Sequence, residues 1–429
     1  MRVSQKTVFI ALIAFALMAE LGCGDQYRPV ANPIISPGGQ PQASHFAWVV
    51  NYNPQGDGST TEIDVSGDTN LAVNAMGKGT SAEAFPTNSL SLYVANAGED
   101  TVMQYLPTLA GAITTISLLP GSHPIALTSS LNTNMYVLNT GPTSLCGSSG
   151  SISTINTSTL SVSNTTCVGV NPTAMVQGPN GGYVYIINQG DNNGEGSVWV
   201  FNPAGPNIVA KLNPLDAQPP NTPGPLNPNP VALAVTPQGW ICVVTQGDQT
   251  YPSQLDLIYT GYSNIAVTAP LGAQPNYAFV DPNRIRLYVT NGGDNTVSVF
   301  DASSVTISPT PNIPLLGTAH VGTNPVGVTA LLDGSNFFTA NAGSNDVSVV
   351  SQNSFSLLTT VALPSNANPA FIASDPTSQK VYVANQGTST TSIIQTSNNT
   401  ISGTITAPPQ ISTCTSNCAL QTPLMIVTQ

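Results

Sequence analysis

A four-residue pattern of an aromatic residue, an aliphatic residue, a variable residue and asparagine recurs along this chain and constrains its fold more than any other feature. The copies are Trp48-Val-Val-Asn51, Tyr93-Val-Ala-Asn96, Tyr136-Val-Leu-Asn139, Tyr185-Ile-Ile-Asn188, Cys242-Val-Val-Thr245, Tyr288-Val-Thr-Asn291, Phe338-Thr-Ala-Asn341 and Tyr382-Val-Ala-Asn385. Seven end in Asn and one in Thr, and their last positions fall 43 to 57 residues apart. A near-constant period of this size marks a repeat architecture in which one supersecondary unit packs on the next.

Each copy has the same internal order. After the tetrad comes a polar turn, as in Asn291-Gly-Gly-Asp-Asn-Thr296, and then an alternating strand such as Val297-Ser-Val-Phe-Asp301. A third strand of the Leu357-Leu-Thr-Thr-Val361 type follows. A loop ending in Pro (124, 172, 230, 275, 325, 369) leads into a fourth strand, and a tight turn returns to the tetrad. Val, Ile, Tyr and Thr suit half-buried pleated surfaces, while Asn, Asp and Gly supply the turns between them. Four antiparallel strands in about 45 residues match a propeller blade, and no stretch of the body carries the 3.6-residue apolar stripe that helical repeats need.

These residues resemble the YVTN family of β-propellers, relatives of the lactonase-like propellers, from about Phe46 to Gln429. The resemblance implies an all-β propeller of four-stranded blades with the Pro-led strand innermost. The first tetrad lacks a preceding Pro-led strand, whereas the chain ends with one, Pro423-Leu-Met-Ile-Val-Thr428. The C-terminal strand is therefore expected to complete blade one and seal the ring. That count gives eight blades; seven is the alternative if the first copy is an appendage.

The amino terminus reads as an address. Arg2 and Lys6 precede an apolar run, Val8 to Ala19, that is too short to span a bilayer and suits a signal peptide. It ends in Glu20-Leu-Gly-Cys23, which resembles a bacterial lipobox with Glu20 in place of the usual aliphatic residue. The resemblance implies acylation of Cys23. The expected division is a signal peptide over 1–22, a lipidated Pro- and Gly-rich tether over 23–44, and one propeller over 45–429. The expected location is the cell envelope, facing periplasm or cell surface. The partner there is the membrane, reached through the lipid.

Charge narrows the function. With 8 basic and 20 acidic residues and a net charge of −12, the chain lacks the clustered Lys and Arg of a nucleic-acid binder. No Ser–His–Asp signature, phosphate loop or His-rich metal set is present. His45, His123 and His320 fall in a tether end and two loops, and Arg284 and Arg286 flank a turn, where they serve solubility. Export permits disulfides. Cys146 with Cys167 and Cys414 with Cys418 form local pairs, zinc being the alternative for the second, and Cys242 reads as an inert core thiol.

The acidic residues are unevenly placed. Asp57, Glu99, Asp100, Asp191, Glu195, Asp248, Asp294 and Asp346 all follow a tetrad directly. With the Pro-led strand innermost, as the resemblance implies, those turns are expected to share one face with the pre-Pro loops and with nearly all the long insertions, the opposite turns being short and nearly uniform. Long loops on one end of a rigid scaffold commonly carry function. One reading makes this face a site for Ca²⁺, a cationic group, or a protein, peptide or glycan partner. The other makes these acids simple turn formers. For the whole protein the expectation is a binding scaffold with no cofactor beyond such a Ca²⁺. The alternatives are a lactonase-like hydrolase or isomerase using the channel mouth, and a purely structural envelope protein.

Overall fold

The computed structural model describes residues 46–429 except 55, 66, 85–90, 107–111, 130–133, 215–224, 260–263, 282, 284, 308–310, 411–418 and 429. The signal, Cys23 and tether readings, His45, and the Cys414–Cys418 pair lie outside the described residues. The described chain forms eight four-stranded antiparallel sheets arranged as an eight-bladed β-propeller. Blade 1 contains β1 (Phe46–Tyr52), β2 (Asp57–Asp64) and β3 (Thr69–Lys78). Blade 2 runs β4 (Thr80–Ala84), β5 (Leu92–Asn96), β6 (Thr101–Leu106), β7 (Ala112–Ser117). Blade 3 runs β8 (Pro124–Ser129), β9 (Asn134–Asn139), β10 (Ser151–Asn156), β11 (Ser161–Cys167). Blade 4 runs β12 (Pro172–Gln177), β13 (Val184–Asn188), β14 (Ser197–Asn202), β15 (Asn207–Leu212). Blade 5 runs β16 (Pro230–Val235), β17 (Trp240–Thr245), β18 (Gln254–Tyr259), β19 (Ile265–Pro270). Blade 6 runs β20 (Pro275–Asp281), β21 (Arg286–Asn291), β22 (Thr296–Asp301), β23 (Leu315–His320). Blade 7 runs β24 (Pro325–Ala330), β25 (Asn336–Asn341), β26 (Asp346–Ser351), β27 (Leu357–Ala362). Blade 8 runs β28 (Pro369–Ser374), β29 (Lys380–Asn385), β30 (Thr390–Gln395), β31 (Thr400–Thr406).

The C-terminal β32 (Thr422–Thr428) pairs antiparallel with β1, Val49 opposite Ile426, and completes blade 1 in the order β3-β2-β1-β32. Closure leaves no open seam between the chain ends. Lys380 of blade 8 reinforces the joint, with its Nζ 2.5 Å from Asp68 Oδ2 in the β2–β3 turn. Ser402 also donates to that carboxylate. Beneath the pair, burial and then the charges of Asp375, Asp68 and Asp64 push the Tyr382 phenol upward.

Proline explains where each inner strand begins. It has no N–H to give a ladder and is tolerated at a strand's first residue or at a bulge. Pro124, Pro172, Pro275, Pro325 and Pro369 stand opposite Asn139, Asn188, Asn291, Asn341 and Asn385, each with a register shift just after it. The preceding residues, His123, Asn171, Asn229, Gln274, Asn324 and Asn368, all have positive φ. Asn tolerates that backbone best among residues with a Cβ, and it fills four of the six positions.

Packing is between blades. The tetrad aromatics Trp48, Tyr93, Tyr136, Tyr185, Tyr288 and Tyr382 are fully buried, and most of the apolar clusters join residues of neighbouring blades. Two expectations are corrected. Arg286 is more than a solubilising charge: its Nη1 donates to Gln352 O at 2.5 Å and its guanidinium lies 5.6 Å from the Phe355 ring, tying blade 6 to blade 7. The turns opposite the long-loop face are also not uniform, because the β22–β23 connection begins with a 3₁₀ turn, Ala302–Ser304, and continues to Pro314. Asp301 organises that connection by accepting from Ser303 and Ser304.

Candidate functional site: the long-loop face

The last residue of the tetrad builds this face. Asn341 is buried and its Nδ2 donates to Asp346 Oδ1 (2.7 Å) and Ser348 Oγ (3.0 Å) on the next strand. The same amide reaches Ser151 and Ser153 from Asn139, Thr296 and Ser298 from Asn291, and Thr390 and Ser392 from Asn385. Asn51 makes the equivalent bonds to Ser59 and Thr61. A buried amide needs such partners, since leaving its groups unpaired costs about 1–3 kcal/mol each. In these five blades Asn faces two side-chain oxygens that accept from its amide.

The turn acids hold loops together. Three residues after the tetrad Asn, Asp191 accepts from Val170 N (2.8 Å) and Asp294 from Ala273 N (2.5 Å), while Ser344 Oγ does the same for Thr323 N. These bonds bind each turn to the loop leading into its own blade. One residue further on, Asp100 accepts from Gly121 N and His123 N, Asn295 from Asn324 N, and Asn345 from Asn368 N. Those bonds reach the loop leading into the following blade. The turns of blades 6 and 7 are thus fastened on both sides, and those of blades 2 and 4 on one. Gly272 and Gly322 sit against this junction, where a Cβ would meet Asn291 and Asp294, or Asn341 and Asp346, at under 3.0 Å.

The remaining acids are placed as follows. Asp248 accepts from Thr250 N (2.7 Å) and Tyr251 N (2.8 Å) within the β17–β18 loop. Asp57 opens β2 opposite Lys78 and is exposed, as are Glu99 and Glu195. These acids fall one or two to each of blades 1, 2, 4, 5, 6 and 7, and among the described residues no three His, Cys, Asp or Glu side chains gather closely enough to hold a metal ion. The β9–β10 loop is pinned to the end of β11 by a Cys146–Cys167 disulfide, and Cys242 is a buried free thiol whose burial pushes its pKa up to about 12.

Blade 5 departs from the pattern in a way that sequence reading missed. Its tetrad ends in Thr245, and the position of Ser298 or Ser348 is taken by Asp256. Asp256 is fully buried, accepts from Gln254 Nε2 at 2.6 Å, and leaves its Oδ2 without a hydrogen bond. Burial pushes its pKa up to about 8. Gln254 Oε1 in turn accepts from Asn227 Nδ2, beneath the loop leading into β16. The signal was available as two coupled exceptions, Thr in place of Asn and Asp in place of Ser. Blade 4 is another exception. Trp199 occupies the second hydroxyl position, Ser197 turns its hydroxyl to Asp191, and both polar atoms of buried Asn188 lack partners.

The innermost strands β4, β8, β12, β16, β20, β24, β28 and β32 contain no Lys, Arg or His; their charged residues are Glu83 and Asp281. Asp281 accepts from Asn283 N at the end opposite the long-loop face. Tyr277 and Phe371, two blades apart, meet edge-to-face at 6.3 Å, and the strand between them carries Gly327 in the same register. Burial pushes the Tyr277 phenol up to about 12.

No protein-family model and no curated protein sequence matches the chain. Solved structures do. Apo AztD from Citrobacter koseri is similar over 90% of this chain and 98% of its own, with a TM-score of 0.59 and 12% identity. The dihydro-heme d1 dehydrogenase NirN in complex with DHE is similar over 94% of this chain and 79% of its own, with a TM-score of 0.62 and 11% identity. Chaetomium thermophilum Sqt1 bound to the N-terminus of ribosomal protein L10 covers 80% of this chain and 91% of its own, with a TM-score of 0.59 and 11% identity. At these identities the likeness is one of fold, and a propeller fold hosts many activities.

Proposed function

We propose that this chain is an exported, lipid-anchored propeller of the YVTN type that holds a partner on its long-loop face. The observation that carries the reading is the contrast, on one face, between clamped turns and long connections. Side-chain clamps hold the turns of blades 2, 4, 6 and 7, and the long connections β9–β10, β13–β14 and β17–β18 rise from blades 3 to 5 on the same face. A rigid scaffold presenting irregular loops loses little conformational entropy on binding. The partner class is a polar glycan, a peptide or a protein surface. Exposed Asp57, Glu99 and Glu195, together with Asp100, Asp191, Asp248, Asp294 and Asp346, would favour a cationic group or Ca²⁺ there. A hydrolase at the channel mouth has less support, because the innermost strands bring no cationic side chain to it.

The test is an array of glycans and basic peptides probed with the full chain, together with thermal melts in Ca²⁺ and in Na⁺ of equal ionic strength. Binding that is lost on replacing Asp248 and Tyr251, and kept on changing Asn353 in the opposite turn, is the expected outcome. A Ca²⁺-specific rise in melting temperature removed by Asp191→Asn with Glu195→Gln would locate a cation in blade 4. Ligands that map to the opposite face, or identical melts in both salts with no array signal, would sink the reading.

A further inference from the structure

The underside, opposite the long loops, has a different chemistry. β1 runs from Phe46 on the underside toward Asn51 and the long-loop face, so the described chain begins on the underside. The outermost strands β23 and β27 run upward from the same side, pairing Leu315 with Phe300 and Leu357 with Val350 at their lower ends. There Leu315 and Leu358 are each 54% exposed, and Leu316 and Leu357 are also bare. Ile307, in the β22–β23 connection, and Leu71, near the lower end of β3, are exposed as well. Among the described residues, the exposed large apolar ones on the long-loop side are Tyr52, Leu145 and Val170. The two leucine pairs stand on neighbouring blades, and Phe355 of blade 7 packs against Gly317 of blade 6 between them.

An apolar rim of this kind on an otherwise hydroxyl-rich surface marks an interaction surface. Its place relative to the incoming chain identifies the occupant. The segment before Phe46 contains the apolar run Val8 to Ala19 and then Cys23, so the element that would meet lipid joins the body on the leucine side. We propose that the underside rim of blades 6 and 7 rests against the surface of a lipid bilayer, turning the long-loop face away from it. This rests on the envelope-anchored reading above. Four leucines dipping into the interface exchange water for acyl chains, and binding of this type scales with the apolar area inserted. Neutral headgroups suit the contact best, because the chain carries a net charge of −12.

The native tryptophans, Trp48, Trp199 and Trp240, lie in blades 1, 4 and 5 and none is fully exposed, so a new surface tryptophan can be read against them. Leu358→Trp and Gln249→Trp are each made in the full chain and mixed with phosphatidylcholine vesicles containing brominated lipid. Quenching above the parent chain is expected at 358 and at least about threefold weaker at 249. It should fall at 358 when the exposed Leu315, Leu316 and Leu357 are changed to Ser, with an unchanged melting temperature showing that the fold is kept. Equal quenching at both positions, quenching indifferent to the serines, or protein that stays in the aqueous phase overturns the proposal. So does a rim that mediates self-association instead, seen as a dimer lost on serine substitution without quenching. Cys23→Ser tests the anchor separately. Quenching at 358 that survives this change keeps the rim and removes the anchor, whereas quenching that needs Cys23 supports both.

Discussion

Blades 5 and 7 solve the same problem with different residues. In blade 7, Asn341 spans to Asp346 and Ser348, and every partner is neutral or reaches solvent. In blade 5, Thr245 donates to Gln254 O instead, and the hydroxyl position holds a buried carboxylate, Asp256, with a single hydrogen bond. The comparison teaches that the repeat keeps the strand pairing and not the residues that tie it, since Thr245 and Asp256 both turn to Gln254. A short side chain at one position leaves room for a longer one opposite, and the difference is electrostatic more than steric.

The harshest way to break the comparison is Asn341→Leu. It removes the donor to Asp346 Oδ1, one of the two donors to Ser348 Oγ, and the acceptor of buried Thr339 Oγ1, for a loss of about 3 kcal/mol by denaturant titration. A loss below about 1 kcal/mol would show that the amide is not what holds the turn.

Asp256→Asn sharpens the same comparison through pH. The folded-state pKa of Asp256, about 8, lies above its ordinary value of 3.8 because burial disfavours the charge. The folded chain therefore holds a proton that the unfolded chain has released, so this group's contribution to stability is lost as pH rises from about 4 to 8. Glu62, pushed up to about 7 by burial, acts in the same direction. Asp256→Asn should reduce the fall in stability between pH 5 and 8 by close to one proton's worth and leave the part due to Glu62. An unchanged pH slope would mean that Asp256 is charged in the fold. The smallest effect belongs to Asp294→Ala, which removes one acceptor from Ala273 N on an exposed turn and should cost about 1 kcal/mol. Asp294→Asn, which keeps an acceptor, should restore most of it.

The blade count, the Pro-led inner strand and closure by Pro423 to Thr428 were legible because each follows from a local pattern repeated at fixed spacing. The Cys146–Cys167 bridge was legible because it is local. The turn acids were legible as a set but not in their role, since Asp and Asn favour such turns whether they face a ligand or a backbone N–H. Arg286 was misread for a similar reason: a charge beside a turn looks solvated until Gln352 and Phe355 of the next blade are known.

By itself, then, the chain's pattern determined the strands and their order, because alternation, turn residues and a missing proline N–H act within a few residues. Tertiary structure alone decided what faces what. Asp100 clamps the loop before Pro124, Lys380 meets Asp68 across the seam, Asp256 is sealed from water, and four leucines share the side from which the chain arrives. Those outcomes depend on distances between segments that only closure of the ring brings together. A residue's burial, and with it the energy of its charge, is a property of its neighbours and not of its position in the chain.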